Sequence, residues 1–348
     1  MVGRASPKRM TPPLTALAAG QLVMLQIALV GLSAGAAAAL LFASVTSGTW
    51  LSVPLFYIAP LPIMIAGLGW SHWSALVAAV AASAALGIAF GSIFFFAFLA
   101  GAGLPAWWLG YLALLARPGN APVGGTAAGP ALLEWYPPGR LVVWAGVLAA
   151  LVVVVAIPNF GTDAESFRVG LRTALGRMFG AESGSGADNP ISATGMGNLD
   201  RLVQFLPPAA AVIATITNVF NLWLAARVVK FSGRLTRPWP ALAAMTFPKL
   251  ALPALALAVA LSFLDSMIGI VAVVLTAGLL MAFGVLGLAV LHAITRGINA
   301  RPFLLGGIYA SVMIFGWPIL ALSVLGIFET AFEIRARAAR KRGLPPAV

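Results

Sequence analysis

MIGIVAVVLTAGLLMAFGVLGLAVL, residues Met267 to Leu291, carries no charged side chain over its whole length. A helix rises about 1.5 Å per residue, so such a run is long enough to cross the roughly 30 Å hydrocarbon core of a bilayer. Working outward, the same kind of window recurs on both sides. Upstream lie Leu250 to Leu264, Leu206 to Val228, Leu141 to Ile157, Gly91 to Ala116, Trp73 to Gly87, Leu51 to Trp70 and Leu22 to Val45; downstream lies Phe303 to Phe328. These nine windows predict an all-α fold, a polytopic transmembrane helix bundle of about eight to nine spans.

Composition excludes the main alternatives. Of 348 residues, 61% are hydrophobic and 9% charged, whereas a soluble domain carries about 25% charged residues. The absence of cysteine removes disulfides, thiolate metal sites and cysteine nucleophiles together. A net charge of +12 would suggest nucleic acid in a soluble protein, but here the basic residues sit in short connections. In a membrane protein Lys and Arg collect in short cytoplasmic loops. Basic and aromatic residues nowhere interleave on one polar face, so no nucleic-acid partner is expected.

The first window follows Arg4, Lys8 and Arg9. It is longer than the about 7 to 15 apolar residues of a signal sequence, and more spans follow, so it reads as a retained helix. Pro54, Pro60 and Pro62 predict a kinked second helix of the sort that borders a cavity. Pro158 to Phe205 is the one long polar segment, with five of the nine acidic residues. Within it Phe167, Leu171, Leu175 and Met178 recur at helical spacing, with Arg168 and Arg172 on another face, as in an amphipathic helix lying on a bilayer surface. Gly180 to Asn198 reads as a Gly/Ser-rich, mobile linker. The organisation predicted is a cytoplasmic segment 1–20, a first membrane half 21–157, an extracytoplasmic loop 158–205, a second half 206–330 and a basic tail 331–348.

The connection with Arg227, Lys230, Arg234, Arg237 and Lys249 contains no acid and is assigned to the cytoplasm. With the N-terminus inside, every charge cluster up to the eighth window obeys the same rule. Nine full crossings would then put Arg335, Arg337, Arg340, Lys341 and Arg342 outside. A cytoplasmic tail needs an even count, met if the Pro318-broken last run enters and returns as two half-spans, or if two earlier windows form one element.

Few groups at membrane depth carry chemistry. Asp265 is expected at the outer interface; His72 and His292 flank spans on the inner side, and no metal site or cofactor is expected. Glu329 and Glu333 read as a solvated or headgroup-facing helix face with i,i+4 pairs such as Glu333 with Arg337. Asn218 and Asn221 sit three apart in the sixth window beside Thr217, and lipid satisfies none of them. With Tyr57 of the kinked second helix they are the candidate ligand-binding residues, the other reading being interhelical hydrogen-bond glue. Gly31, Gly35 and Ala39 form a small-residue ridge for close approach by a helix of this chain or of a partner. No glycine precedes a lysine and H-E-x-x-H does not occur, while the one G-x-S-x-G match, Gly31 to Gly35, falls inside an apolar window and not at a strand-to-helix turn, so neither ATP hydrolysis nor another enzymatic activity is expected.

Several segments share a family likeness. Tyr57 to Pro62, Ala66 to Trp70, Leu104 to Gly110, Leu206-Pro207 with Asn218 and Asn221, Gly287 to Val290, and Leu325 to Ile327 running on to Arg335 resemble the YybS-like family of bacterial membrane proteins. The likeness spans roughly Gln21 to Arg342. It implies an inner-membrane protein similar to the substrate-binding S components of energy-coupling-factor transporters, docking on a separate ATP-driven module through the Gly31, Gly35, Ala39 ridge. The functions to weigh are therefore a non-enzymatic solute-binding transport subunit, an assembly or scaffold subunit of a larger membrane complex and, third, a lipid-modifying enzyme.

Overall fold

A computed structural model of the chain describes residues 13–119, 133–178 and 190–341. Among these residues fourteen α-helices and one small hairpin follow in order: α1 Pro13–Ala43, α2 Ser52–Tyr57, α3 Leu61–Gly69, α4 His72–Phe90, α5 Ser92–Phe98, α6 Leu104–Ala113, β1 Ala116–Pro118, β2 Leu133–Trp135, α7 Pro138–Ala156, α8 Ala164–Met178, α9 Pro190–Phe231, α10 Ala251–Leu261, α11 Met267–Ile294, α12 Arg301–Phe315, α13 Pro318–Phe332 and α14 Ile334–Lys341. Among the described residues seven helical stretches are long and apolar enough to cross a membrane. This is an all-α helical membrane protein; the two strands pair antiparallel, with Arg117 opposite Glu134.

The chain divides into two compact units, Met1–Trp107 with Val228–Arg234, and Trp108–Arg227 with Leu235–Val348. The division falls elsewhere than the two halves read from the sequence, because packing follows helix contacts and not the position of the longest polar loop.

In the first unit α1 lies against α4. A Cβ at Gly31 would lie 2.6 Å from Val77 Cγ1, and one at Gly35 would lie 2.7 Å from Ala78 O. The missing side chains are what let the two backbones meet, where dispersion rather than hydrophobic transfer drives association. The kink expected in the second window is a full break: α2 ends at Tyr57 and α3 restarts with Pro60 and Pro62 at its first positions, where a proline's missing N–H is harmless. Ser71 caps α4 by accepting the Trp73 N–H at 3.0 Å. Arg234 lies over the Trp70 ring at 4.3 Å and donates to Gly69 O at 3.3 Å.

The second unit is built on α11. Gly146 of α7 and Gly278 of α11 face each other, a Cβ on either lying within 2.7 Å of the other's carbonyl oxygen. Farther along, Leu279, Ala282, Phe283, Leu286 and Val290 of α11 form a core with Val142, Met245, Phe247 and Leu255. Although α10 is only eleven residues, about 16 Å of helix, its flanks carry it past the whole of α7. Thr246 before it abuts Gly139 at the start of α7. Asp265 after it pairs with Arg168, beyond the far end of α7. The unit therefore has a basic end, holding the connection before α10, and an opposite end, holding α8, where acids and arginines balance.

The last apolar run is broken in this unit. Arg301, at the foot of α12, donates to His292 O at 3.5 Å. Arg335, after α13, donates to Ala243 O and Met245 O. Both feet of the α12–α13 hairpin therefore stand at the basic end. Its turn, at Gly316 with φ of 71°, brings Ile319 against Gly284, about midway along α11. The last apolar run is thus two short helices joined at Gly316, and the chain that follows them begins beside the connection that precedes α10.

Two readings of charged and amphipathic segments change. Glu329 is not solvated: it is buried and paired with Arg335, while Glu333, in a left-handed conformation, ends α13. The apolar face of α8 does not lie on a bilayer. Phe167, Leu171 and Leu175 are buried against Ile157, Leu199, Val203, Met267 and Ile270, because the ends of α7, α9 and α11 offer a closer apolar surface. Of the linker read over Gly180 to Asn198, residues 180–189 lie outside the described residues, as do Arg4, Lys8, Arg9 and Arg342; α9 is already helical from Pro190.

Candidate functional site

Pro207 and Pro208 sit inside α9. Proline has no N–H, so the carbonyls four residues earlier, Val203 O and Gln204 O, lose their helical donors. Because the prolines are adjacent, the next donor position for Val203 O and the preceding one for Gln204 O are blocked as well. Two consecutive carbonyls of a membrane helix thus lose their ordinary helical donors, a situation tolerated where the backbone borders a cavity.

Such a cavity is present. Val203, Gln204, Pro207 and Pro208 line one side of a space of about 520 Å³ at the end that holds α8. Phe167 and Arg168 of α8, the turn Ser262–Asp265, and Gly269, Ile270, Val273 and Val274 of α11 complete it. Arg168 Nη2 donates to Asp265 Oδ1 at 2.8 Å, with side-chain exposures of 46% and 85%. An ion pair this open to solvent adds little to stability. It does hold two opposite charges at the mouth of a largely apolar space.

α8 is placed there by its start and its apolar face. Asp163 Oδ1 accepts the N–H groups of Glu165 and Ser166 at 3.1 and 3.0 Å, and the Ser166 hydroxyl donates to Asp163 Oδ2 at 2.6 Å, a reciprocal N-cap. The Ser166 hydroxyl, then its backbone N–H, hold the Asp163 carboxyl below the usual carboxylate range. Arg172 pairs with Asp200 of α9 at 3.2 Å, so α8 is tied to both helices that flank the cavity.

The residues singled out from the sequence lie elsewhere. Tyr57 is in the first unit, exposed, its ring edge-on to Phe56 at 5.4 Å. Asn218 and Asn221 are buried in α9 of the second unit, where Asn221 Nδ2 donates to Thr217 O at 2.9 Å, within its own helix. None of the three lines the cavity. Gly31 and Gly35 are occupied by α4, and Ala39 is buried. His292 Nε2 and Tyr309 Oη are 2.9 Å apart. Asp265 lies at the same end of the unit as α8.

Residues that sequence reasoning passed over do more. The Pro207–Pro208 doublet, of which only the first proline entered the family likeness, was the available signal for freed carbonyls. Arg237, read only as an orientation charge, donates to Ala113 O at 2.8 Å and Tyr136 O at 3.3 Å. It closes the last carbonyl of α6 and one in the turn before α7, and burial lowers its pKa.

Fold and cavity together define a polytopic α-helical membrane protein with a half-open cavity where a proline-interrupted helix reaches the surface. No family model, curated protein or solved structure matches the chain.

Proposed function

We propose that the chain is a non-enzymatic, solute-binding subunit of a bacterial inner-membrane transport system, comparable with the S components that the YybS-like resemblance implies. The observation that carries this reading is the cavity of about 520 Å³ bordered by the Pro207–Pro208 interruption. Ligand pockets commonly measure about 300–1,000 Å³ and combine apolar walls with a few polar groups. With the basic end cytoplasmic, the cavity opens to the outside, where a capturing subunit meets its solute. The binding residues in this reading are Arg168, Gln204 and Asp265, in place of Tyr57, Asn218 and Asn221. Energy would come from a separate ATP-driven module, the chain having no P-loop of its own. Since Gly31 and Gly35 are engaged by α4, that module would dock on another face.

Purification from native membrane followed by mass spectrometry of co-purifying proteins and small molecules tests the proposal. A retained small molecule or an ATPase partner supports it. A stable multi-subunit complex with neither overturns it in favour of the scaffold reading.

A further inference from the structure

We propose that the cavity takes a zwitterionic headgroup, with an anionic phosphate on Arg168 and an alkylammonium on Asp265 and the freed carbonyls of Val203 and Gln204. This deepens the solute-binding reading and rests on it. Three observations converge.

The first is the charge pair. Arg168 and Asp265 come from segments 97 residues apart and meet at 2.8 Å on the cavity wall. A lone anion would displace Asp265 from Arg168 and leave the carboxylate without its partner; a lone cation would do the reverse. A zwitterion replaces both halves of the pair at once, so neither charge is stranded. The second is the acceptor surplus. Val203 O, Gln204 O and the Asp265 carboxylate all accept and none donates, so the group they receive must bring N–H or O–H. An alkylammonium brings three N–H donors and a charge opposite to that of Asp265.

The third is depth. Pro207 lies 24 residues before Phe231, the basic-end terminus of α9, which is about 36 Å of helix. That is slightly more than the roughly 30 Å hydrocarbon core, so the interruption sits at headgroup level. Phe263 and Leu264, which also line the cavity, are 84% and 48% exposed, apolar surface of the kind an acyl chain covers. The same chemistry reaches the site in two forms, a phosphoethanolamine lipid or its water-soluble glycerol ester.

The absence of cysteine permits a direct test on the full chain in nanodiscs. Val273→Cys places one thiol on the cavity wall, and its rate of maleimide labelling is followed in a phosphatidylglycerol bilayer. Phosphatidylethanolamine in the bilayer or glycerophosphoethanolamine in solution is expected to slow labelling. Protection by the lipid alone assigns a membrane source, and protection by the soluble ester assigns a free solute. Asp265→Asn is expected to weaken protection by about tenfold or more. Pro207→Ala with Pro208→Ala restores the two N–H donors, and is expected to weaken protection while thermal stability holds or rises. Equal protection by inorganic phosphate or glycerophosphoglycerol would overturn the zwitterion and leave the solute-binding reading standing. Zwitterion protection unchanged in both variants would overturn the assigned residues. No protection by any probe or by a native membrane extract would overturn the solute-binding reading with it.

Discussion

Glu329 and Arg335, six residues apart, close a ring across the end of α13: Glu329 Oε1 accepts from Arg335 Nε at 2.8 Å while Oε2 accepts the Arg335 backbone N–H at 3.0 Å. The left-handed Glu333, φ 51° and ψ 53°, turns the chain so that this is possible. Both side chains are shielded, with exposures of 8% and 13%, and the guanidinium also reaches Ala243 O and Met245 O. The tail of the protein is therefore latched to the connection that precedes α10.

Removing either partner strands a buried charge, so Glu329→Ala or Arg335→Ala is expected to lower stability by about 3–5 kcal/mol. Replacing both, as Glu329→Leu with Arg335→Met, is expected to lose less than the sum of the single changes. Thermal unfolding in detergent measures the cycle, and additive losses would contradict the coupling.

The crossing of α11 and α13 depends on glycine for room. A Cβ at Gly287 would overlap Leu322 O, and one at Gly326 would overlap Phe283 O. Gly287→Ala is expected to destabilise by about 1–3 kcal/mol through overpacking. Gly306→Ala, on α12 with nothing within 4 Å of the added carbon, should be neutral or stabilise by up to about 1 kcal/mol through helix propensity. Similar Tm shifts for the two would contradict the packing.

Acid should loosen α8 before it disturbs the bundle. The Asp163 carboxyl is lowered in the folded chain, first by the Ser166 hydroxyl and then by the Ser166 N–H. Its stabilisation is therefore complete above the unfolded value of about 3.9 and is lost as pH falls through the lower, folded value. Amide exchange in 164–178 should be protected equally between about pH 7 and pH 5 and accelerate in stronger acid, beyond the intrinsic chemistry of exchange. Asp163→Asn keeps a capping oxygen without that titration. The same acid loosening in this variant would exclude the cap as its cause.

The hairpin formed by α12 and α13 makes a topological prediction. In the cysteine-free chain, Ala241→Cys and Arg340→Cys should label from one side of the membrane and Thr162→Cys from the other. Labelling of 340 from the side of 162 would mean that the last run crosses fully.

Much of the site was hidden for a different reason from most of the fold. Asp265 was legible as an interfacial carboxylate and Arg168 as a charge on the polar face of α8, but no local pattern says that two residues 97 apart will meet. Asn218 and Asn221 drew attention because lipid cannot satisfy an amide; Asn221 Nδ2 reaches Thr217 O one helical turn away. The Gly31–Gly35 ridge was visible, and its occupant was not, since a gap for a backbone looks the same whether α4 or another protein fills it.

The amino-acid sequence alone determined that this chain is helical and lives in a membrane, because hydrocarbon accepts only long, charge-free stretches whose backbones satisfy themselves. It also marked α8 as amphipathic and Pro318 as a break. Tertiary structure decided which surface α8 covers, that the last apolar run turns back at Gly316, and that Pro207 and Pro208 open onto a cavity bearing Arg168 and Asp265. Those outcomes depend on which distant carbonyls, charges and small residues come within a few ångströms of one another. Local sequence encodes the need for a partner, and only packing names it.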